Sequence, residues 1–222
     1  ASFVSENGLV MTNHHCAHAC IAQVSNAEND FVKDGFYAKQ LGDELKCPEM
    51  ELNQLISISD VTDRISKATR GLSDQRYNEA LKGEMSRIEK ACQKNPKMRC
   101  DVVSLYHGGI YNLYTYKRHQ DVRLVFAPEF SIAFFGGDPD NFMFPRYNLD
   151  AAFVRVYEDG RPARMDHFFK WSSAGAKEGD LVFVSGHPGG TNRQLTMSQL
   201  EYQLEVALPD RLLSLAEMRG LL

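Results

Sequence analysis

Between Val102 and Ser185 the apolar residues fall in short runs broken by turn residues, and this rhythm limits the fold more than any other feature of the chain. The runs "IYNLYTYKR", "VRLVFAP", "AAFVRVY" and "DLVFVSG" are strand-sized and separated by Gly, Pro and Asp-Gly punctuation such as Asp159-Gly160. Short strands this closely spaced pair with their chain neighbours through tight turns. The pattern predicts an antiparallel barrel or sandwich.

The flanking segments read differently. Residues 2–24 predict strand, turn, strand and a short helix: Ser2–Val4 is extended, Glu6-Asn7-Gly8 is a turn signal, and Leu9, Val10 and Met11 are apolar. Residues 27–100 read as mostly helical, with a strand-like patch at "LISISDV". In "ALKGEMSRIEKACQK", Leu81, Met85, Ile88 and Cys92 recur at i, i+4, i+7 and i+11, which is one face of an amphipathic helix. From about Met197 the chain is helical again, with Leu212, Leu215 and Ala216 in helical register. The expected class is mainly β with inserted helices. Its β part covers residues 1–197, with a helical insertion at about 27–100, and residues 198–222 begin a helical domain.

Composition removes several functions. With 222 residues, 43% hydrophobic and 24% charged, the chain can bury one or two cores. A net charge of −4 without a lysine or arginine run offers no grip for phosphates, so nucleic acid is not an expected partner. No apolar run reaches the ~18 residues of a spanning helix, and the N-terminus lacks the charged-then-apolar form of a secretion signal. The sequence opens inside a strand pattern and ends inside a helical one, so a segment of a longer protein is expected.

The densest chemistry lies in "MTNHHCAHAC", residues 11–20. Zinc would have His14, His15, Cys16, His18 and Cys20 to choose from, but structural zinc sites pair one ligand knuckle with a second, and none exists elsewhere. Cys16 and Cys20 are one residue too far apart for a C-x-x-C redox motif. Packing of the histidines at a strand end is the plain alternative. Five cysteines, at 16, 20, 47, 92 and 100, are an odd number, which implies a free thiol or a partner outside this chain. Cys92 and Cys100 bracket the polar loop "QKNPKMR", which suits either a disulfide-closed loop or two free thiols.

Order along the chain favours another reading. "SFVSENGLVMTNHHC" runs strand, turn, apolar strand, Thr, and then His directly before Cys. It resembles the trypsin-like serine peptidases, in which a strand ending in Thr-Ala-Ala-His-Cys supplies the general base. By that match His15 is the base and His14 stands in the place of an alanine. "YNLDAAFVRVY" sets Asp150 directly before an apolar strand, similar to the superfamily's triad acid. The chemistry requires both: a serine hydroxyl needs a neutral imidazole to take its proton, and a carboxylate must hold the other ring nitrogen.

A narrower resemblance spans nearly the whole chain. "SFVSENGLVMTNHHC", "GGDPDNFMFPRYNLDAAFVRVY" and "VSGHPGGTNR", in this order, resemble the bacterial serine dipeptidyl-peptidases of the dipeptidyl aminopeptidase BII and dipeptidyl-peptidase 7 and 11 type. The resemblance implies a trypsin-like double β-barrel, of which this chain holds the first barrel and the start of the helical domain between the barrels. It implies a periplasmic exopeptidase that removes dipeptides from peptides with a free N-terminus, needs no cofactor and can form a homodimer. The nucleophilic serine is expected beyond Leu222, since Ser185 in "VSGHPGG" sits in a turn and not in a Gly-x-Ser-Gly setting. The chain alone is therefore expected to carry base and acid but to be inactive.

The same resemblance assigns the substrate's amino end to Asn141 and Phe142 of the "GGDPDN" loop, where Phe142 supplies an apolar wall without an indole N–H. A structural turn, or a calcium loop built on Asp138, Asp140 and Asn141, is the competing reading, although calcium wants six or more oxygens. Export favours the Cys92–Cys100 disulfide and implies that Cys16 pairs with a cysteine before Ala1. "GHPGGTNR" lacks the Gly-Lys-Ser/Thr of a phosphate loop and reads as a turn. The alternative function is a non-enzymatic β-barrel module that binds a peptide or metal through residues 11–20.

Overall fold

The computed structural model describes residues 1–137, 147–183 and 195–221. Two units are distinguished, Ala1–Val182 and Phe183–Leu222. In the first, β1 (Ser2–Phe3) and β2 (Leu9–Thr12) form a hairpin, followed by helix α1 (His14–Val24) and the single turn α2 (Phe31–Asp34). Then come β3 (Phe36–Tyr37), β4 (Leu45–Lys46), β5 (Leu52–Asp60), helix α3 (Thr62–Thr69) and the long helix α4 (Asp74–Cys92). The strands β6 (Met98–Leu105), β7 (Ile110–His119) and β8 (Asp121–Ala127) follow, then α5 (Phe130–Ala133), β9 (Ala152–Glu158) and β10 (Arg161–Pro162). The second unit contains α6 (Met197–Tyr202), a π-helical stretch over Gln203–Ala207 and α7 (Leu208–Leu221).

All strand pairing among the described residues is antiparallel, and the class is mainly β with inserted helices. One sheet runs β1-β2-β9-β8-β3, with β10 on β9 and β4 on β8; the other runs β5-β7-β6, and among the described residues neither closes on itself. The first sheet buries the alternate residues Ala152, Val154 and Val156 of β9 and Val122 and Leu124 of β8 beneath Ala17, Cys20 and Ile21 of α1. Each fully buried Val, Leu or Ile contributes about 1.5–3 kcal/mol, so this layer is the main anchor of α1. The second sheet carries α3 and α4 on a smaller cluster of Ile65, Ile88, Val102 and Tyr111, with Leu81 and Met85 against it. The helical face read from spacing in α4 is thus the buried one.

Two turns show why glycine stands where it does. Gly8 closes the β1–β2 hairpin at φ +66°, and a Cβ there would lie 2.8 Å from the Val156 carbonyl oxygen and 3.0 Å from that of Ala163. Asp159 and Gly160 both have positive φ, which matches the twist of the β9–β10 hairpin.

Two expectations are corrected. Residues 27–54 are not mostly helical: β3 and β4 pair with β8, and the strand-like patch "LISISDV" falls in β5, which starts earlier, at Leu52, and pairs with β7. Two-residue strands carry no period of their own, and pairing with a distant strand decides their state. The run "DLVFVSG" forms no strand over Asp180–Phe183, where Leu181, Val182 and Phe183 are exposed. Among the described residues no strand pairs with it, and an unpaired strand leaves its N–H and C=O groups without partners.

Two disulfides are present. Cys92 at the end of α4 is joined to Cys100 on β6, and Cys20 on α1 is joined to Cys47. Cys16 is free and exposed. Cys20 and Cys47 are both buried, and the Cys47 N–H donates to the Val122 carbonyl of β8, so the second bridge ties α1 to the strand beneath it.

Candidate active site

The site forms where β2 and β9 end together. Their register sets Thr12 opposite Ala152. Continued one step past each strand, it brings the first turn of α1 against the segment before β9. That segment is fixed by the Leu149 N–H, which donates to the Ile132 carbonyl of α5. His15 and Asp150, 135 residues apart, meet here: His15 Nδ1 lies 2.6 Å from Asp150 Oδ2.

Asp150 is held at several points. The His15 backbone N–H donates to Oδ1 at 3.1 Å, and Asn13 Nδ2 donates to Oδ2 at 3.2 Å and to the Asp150 main-chain oxygen at 3.1 Å. Partial burial pushes the Asp150 carboxyl up, but the His15 N–H, the His15 ring and the Asn13 amide together outweigh it and hold the group below the ordinary Asp value. The carboxylate is therefore ionised at neutral pH. It also caps α1 from outside, because the His15 N–H belongs to the first helical turn, whose donors have no partner within the helix.

The other histidines of the cluster point elsewhere. His14 and His18 are four residues apart and share a face of α1, and Phe130 of α5 lies beside both rings, with centroids 6.1 Å and 5.4 Å away. His14 is 1% exposed, whereas the His15 side chain is 71% exposed. Burial, reinforced by His18, lowers the His14 pKa against the pull of Asp150 and the Pro128 backbone, so His14 is neutral at pH 7. His14 Nε2 and His18 Nδ1 are buried without a hydrogen-bond partner. Among the described residues no three His, Cys, Asp or Glu side chains group as metal ligands.

The arrangement can move a proton. A carboxylate on Nδ1 fixes the neutral ring with its hydrogen on that nitrogen, leaving Nε2 as the basic atom on the exposed side. Asn141, Phe142, Asp138, Asp140, Ser185 and the "GHPGGTNR" turn lie outside the described residues. Sequence reading missed Asn13, although its type and its place before the histidines marked it as a helix N-cap, and it missed the Cys20–Cys47 bridge behind the site.

The known proteins that this chain is similar to are peptidases. The Peptidase S46 family model matches residues 1–222, and the chain belongs to that family. It is 34% identical over 221 residues to the Asp/Glu-specific dipeptidyl-peptidase of Capnocytophaga gingivalis, covering 94% of this chain and 31% of the relative. It is also 34% identical over 223 residues to dipeptidyl-peptidase 7 of Porphyromonas gingivalis, covering 91% of this chain and 30% of the relative. The crystal structure of Porphyromonas endodontalis DPP11 in an alternate conformation matches with a TM-score of 0.79 and 31% identity, over 98% of this chain and 34% of that one. The same protein in complex with the dipeptide Arg-Glu matches with a TM-score of 0.68 and 32% identity, over 80% of this chain and 28% of that one. The chain spans about a third of the length of the curated relatives it matches.

Proposed function

We propose that this chain is the base-and-acid part of a serine dipeptidyl-peptidase that removes dipeptides from the free N-terminus of peptides. The observation that carries this reading is the 2.6 Å contact between His15 Nδ1 and Asp150 Oδ2 beside an exposed ring face. His15 Nε2 takes the proton of a serine hydroxyl as that oxygen attacks the scissile carbonyl, and later returns it to the leaving amine. Asp150 holds the ring tautomer and stabilises the imidazolium formed between the two steps. The serine and its oxyanion hole come from elsewhere in the full-length protein, so the 222-residue chain alone is inactive. Asn141 and Phe142 take part in holding the substrate's ammonium group.

Relatives named as dipeptidyl-peptidases, and a similar structure solved with a dipeptide, support the substrate class. Two disulfides support export to an oxidising compartment, here the periplasm. We assign the full-length protein a homodimeric state by the same family reading.

The test is turnover of dipeptidyl chromogenic substrates by the full-length protein, with His15→Ala and Asp150→Ala alongside. Each variant is expected to lose about a thousandfold or more in kcat, the scale on which triad members act. Wild-type turnover by both would overturn the assignment, as would clear turnover by the isolated 222-residue chain.

A further inference from the structure

Asn13 stands at the N-cap of α1 with extended backbone angles, φ −81° and ψ 151°, where an asparagine side chain ordinarily accepts an N–H from the first helical turn. It makes no such bond. Its amide turns instead to a segment 137 residues away and donates to two oxygens of Asp150, the main-chain carbonyl at 3.1 Å and Oδ2 at 3.2 Å. Both atoms only accept hydrogen bonds when Asp150 is ionised, so the amide orientation is fixed with its NH2 toward Asp150. The capping role it gives up is filled by Asp150 itself, whose Oδ1 accepts the His15 N–H at 3.1 Å.

This exchange locates both carboxylate oxygens. Oδ1 is held by the helix terminus, and Oδ2 lies between the Asn13 amide and the His15 ring. Without the amide, Oδ2 would be held by the His15 ring alone, a side chain that is itself 71% exposed. Its second bond, to the Asp150 carbonyl, fixes the backbone from which the carboxylate projects.

We propose that Asn13 is a positioning residue of the His15–Asp150 pair, locking the Asp150 carboxylate with Oδ2 on the His15 ring by donating to that oxygen and to the Asp150 carbonyl. The inference rests on the reading of His15 and Asp150 as base and orienting acid. It adds a requirement that helix capping does not have, namely a donor at position 13.

Asn13→Asp separates the two roles. Aspartate is nearly isosteric and caps a helix as well as asparagine does, so a residue serving only α1 would tolerate it. As a donor it fails, and its charge would lie next to Asp150, where like charges compete for a proton. In the full-length protein assayed on a dipeptidyl chromogenic substrate, Asn13→Asp is expected to lower kcat about 100-fold with little change in KM. The acid limb of its kcat/KM profile should move up by about one pH unit, because the pair holds its proton more tightly and the base is free only at higher pH. Asn13→Ala, which removes the donor without adding charge, is expected to lose about tenfold in kcat and to shift the limb in the same direction by about half a unit.

A folded Asn13→Asp or Asn13→Ala with wild-type kcat and an unmoved acid limb overturns the proposal. If Asn13→Asp fails to fold by its circular-dichroism melt, the Asn13→Ala profile decides alone. If neither folds, the side chain is structural and the proposal falls. Asp150→Ala assayed in parallel distinguishes the two levels: wild-type turnover by that variant sinks the underlying reading, while its loss beside an intact Asn13→Asp sinks only the role of Asn13.

Discussion

The bridge between Cys20 and Cys47 is expected to govern how firmly α1, and with it His15, stays on the sheet. The two residues are 27 apart in sequence. Cross-linking a loop of that size removes about 12 cal/mol/K of entropy from the open chain, or about 3.5 kcal/mol at 25 °C. Both sulfurs are buried, so Cys20→Ala with Cys47→Ala also deletes packed volume, at roughly 1 kcal/mol for each site by analogy with a lost methyl group. The double variant should therefore open α1 with about 3.5–5.5 kcal/mol less resistance, a range that begins at a few hundredfold in the opening equilibrium. Amide hydrogen exchange on the full-length protein reads this directly. Protection over Ala17–Val24 should collapse in the double variant, while α4, closed by its own bridge, should keep its rates. Protection of α1 within threefold of wild type would refute the reasoning, since the apolar layer under α1 would then hold it unaided.

Two further outcomes follow from buried charge. Arg155 Nε donates to Glu44 Oε1 at 2.9 Å, and Tyr157 OH donates to Glu44 Oε2 at 2.8 Å, with the Glu44 side chain 2% exposed. Arg155→Met should cost about 3–5 kcal/mol by leaving that carboxylate without its cation, whereas a loss below 1 kcal/mol in urea unfolding would contradict this. Acid should weaken the fold in two windows. His14 and His119 have pKa values lowered chiefly by burial, so the unfolded chain binds more protons than the folded one below about pH 6.5, and stability falls from there. Glu51, Glu84, Asp121 and Glu158 are held below their ordinary values mainly by Arg118, Arg87, Arg123 and Lys117 respectively, and Asp150 by the partners described above. Their contribution is present at neutral pH and is lost below about pH 4. Unfolding free energies measured from pH 7 to pH 3 should show both steps, and His119→Gln should diminish the first.

What was legible in the sequence was whatever its own neighbourhood determines. The β1–β2 hairpin follows from a glycine turn between apolar runs, α4 from its apolar face, and β7, β8 and β9 from alternation. His15 and Asp150 were legible as a pair because each sits at a strand end in a recognisable order. What escaped depends on distant partners. β3 and β4 exist because β8 offers an edge, Cys20 finds Cys47 only once α1 lies on the sheet, and "DLVFVSG" has strand composition but no partner among the described residues. Asn13 reads as a helix cap in any local analysis, and only the approach of Asp150 redirects its amide.

The pairing of β2 with β9 also sets a clock. β2 ends at Thr12 and its partner begins at Ala152, so during synthesis the first strand must wait for about 140 residues before its ladder can form. At ~5–20 residues per second this is roughly 7–28 s, whereas the β6–β7 hairpin has both its strands within 22 residues, from Met98 to His119. The second sheet is thus complete while the first still lacks its central strand, and His15 spends that interval without its carboxylate. Disulfide trapping on nascent chains stalled in vitro in an oxidising buffer would show the order: Cys92–Cys100 should close on chains too short to include β9, and native protection of α1 should appear only after Glu158 has left the ribosome.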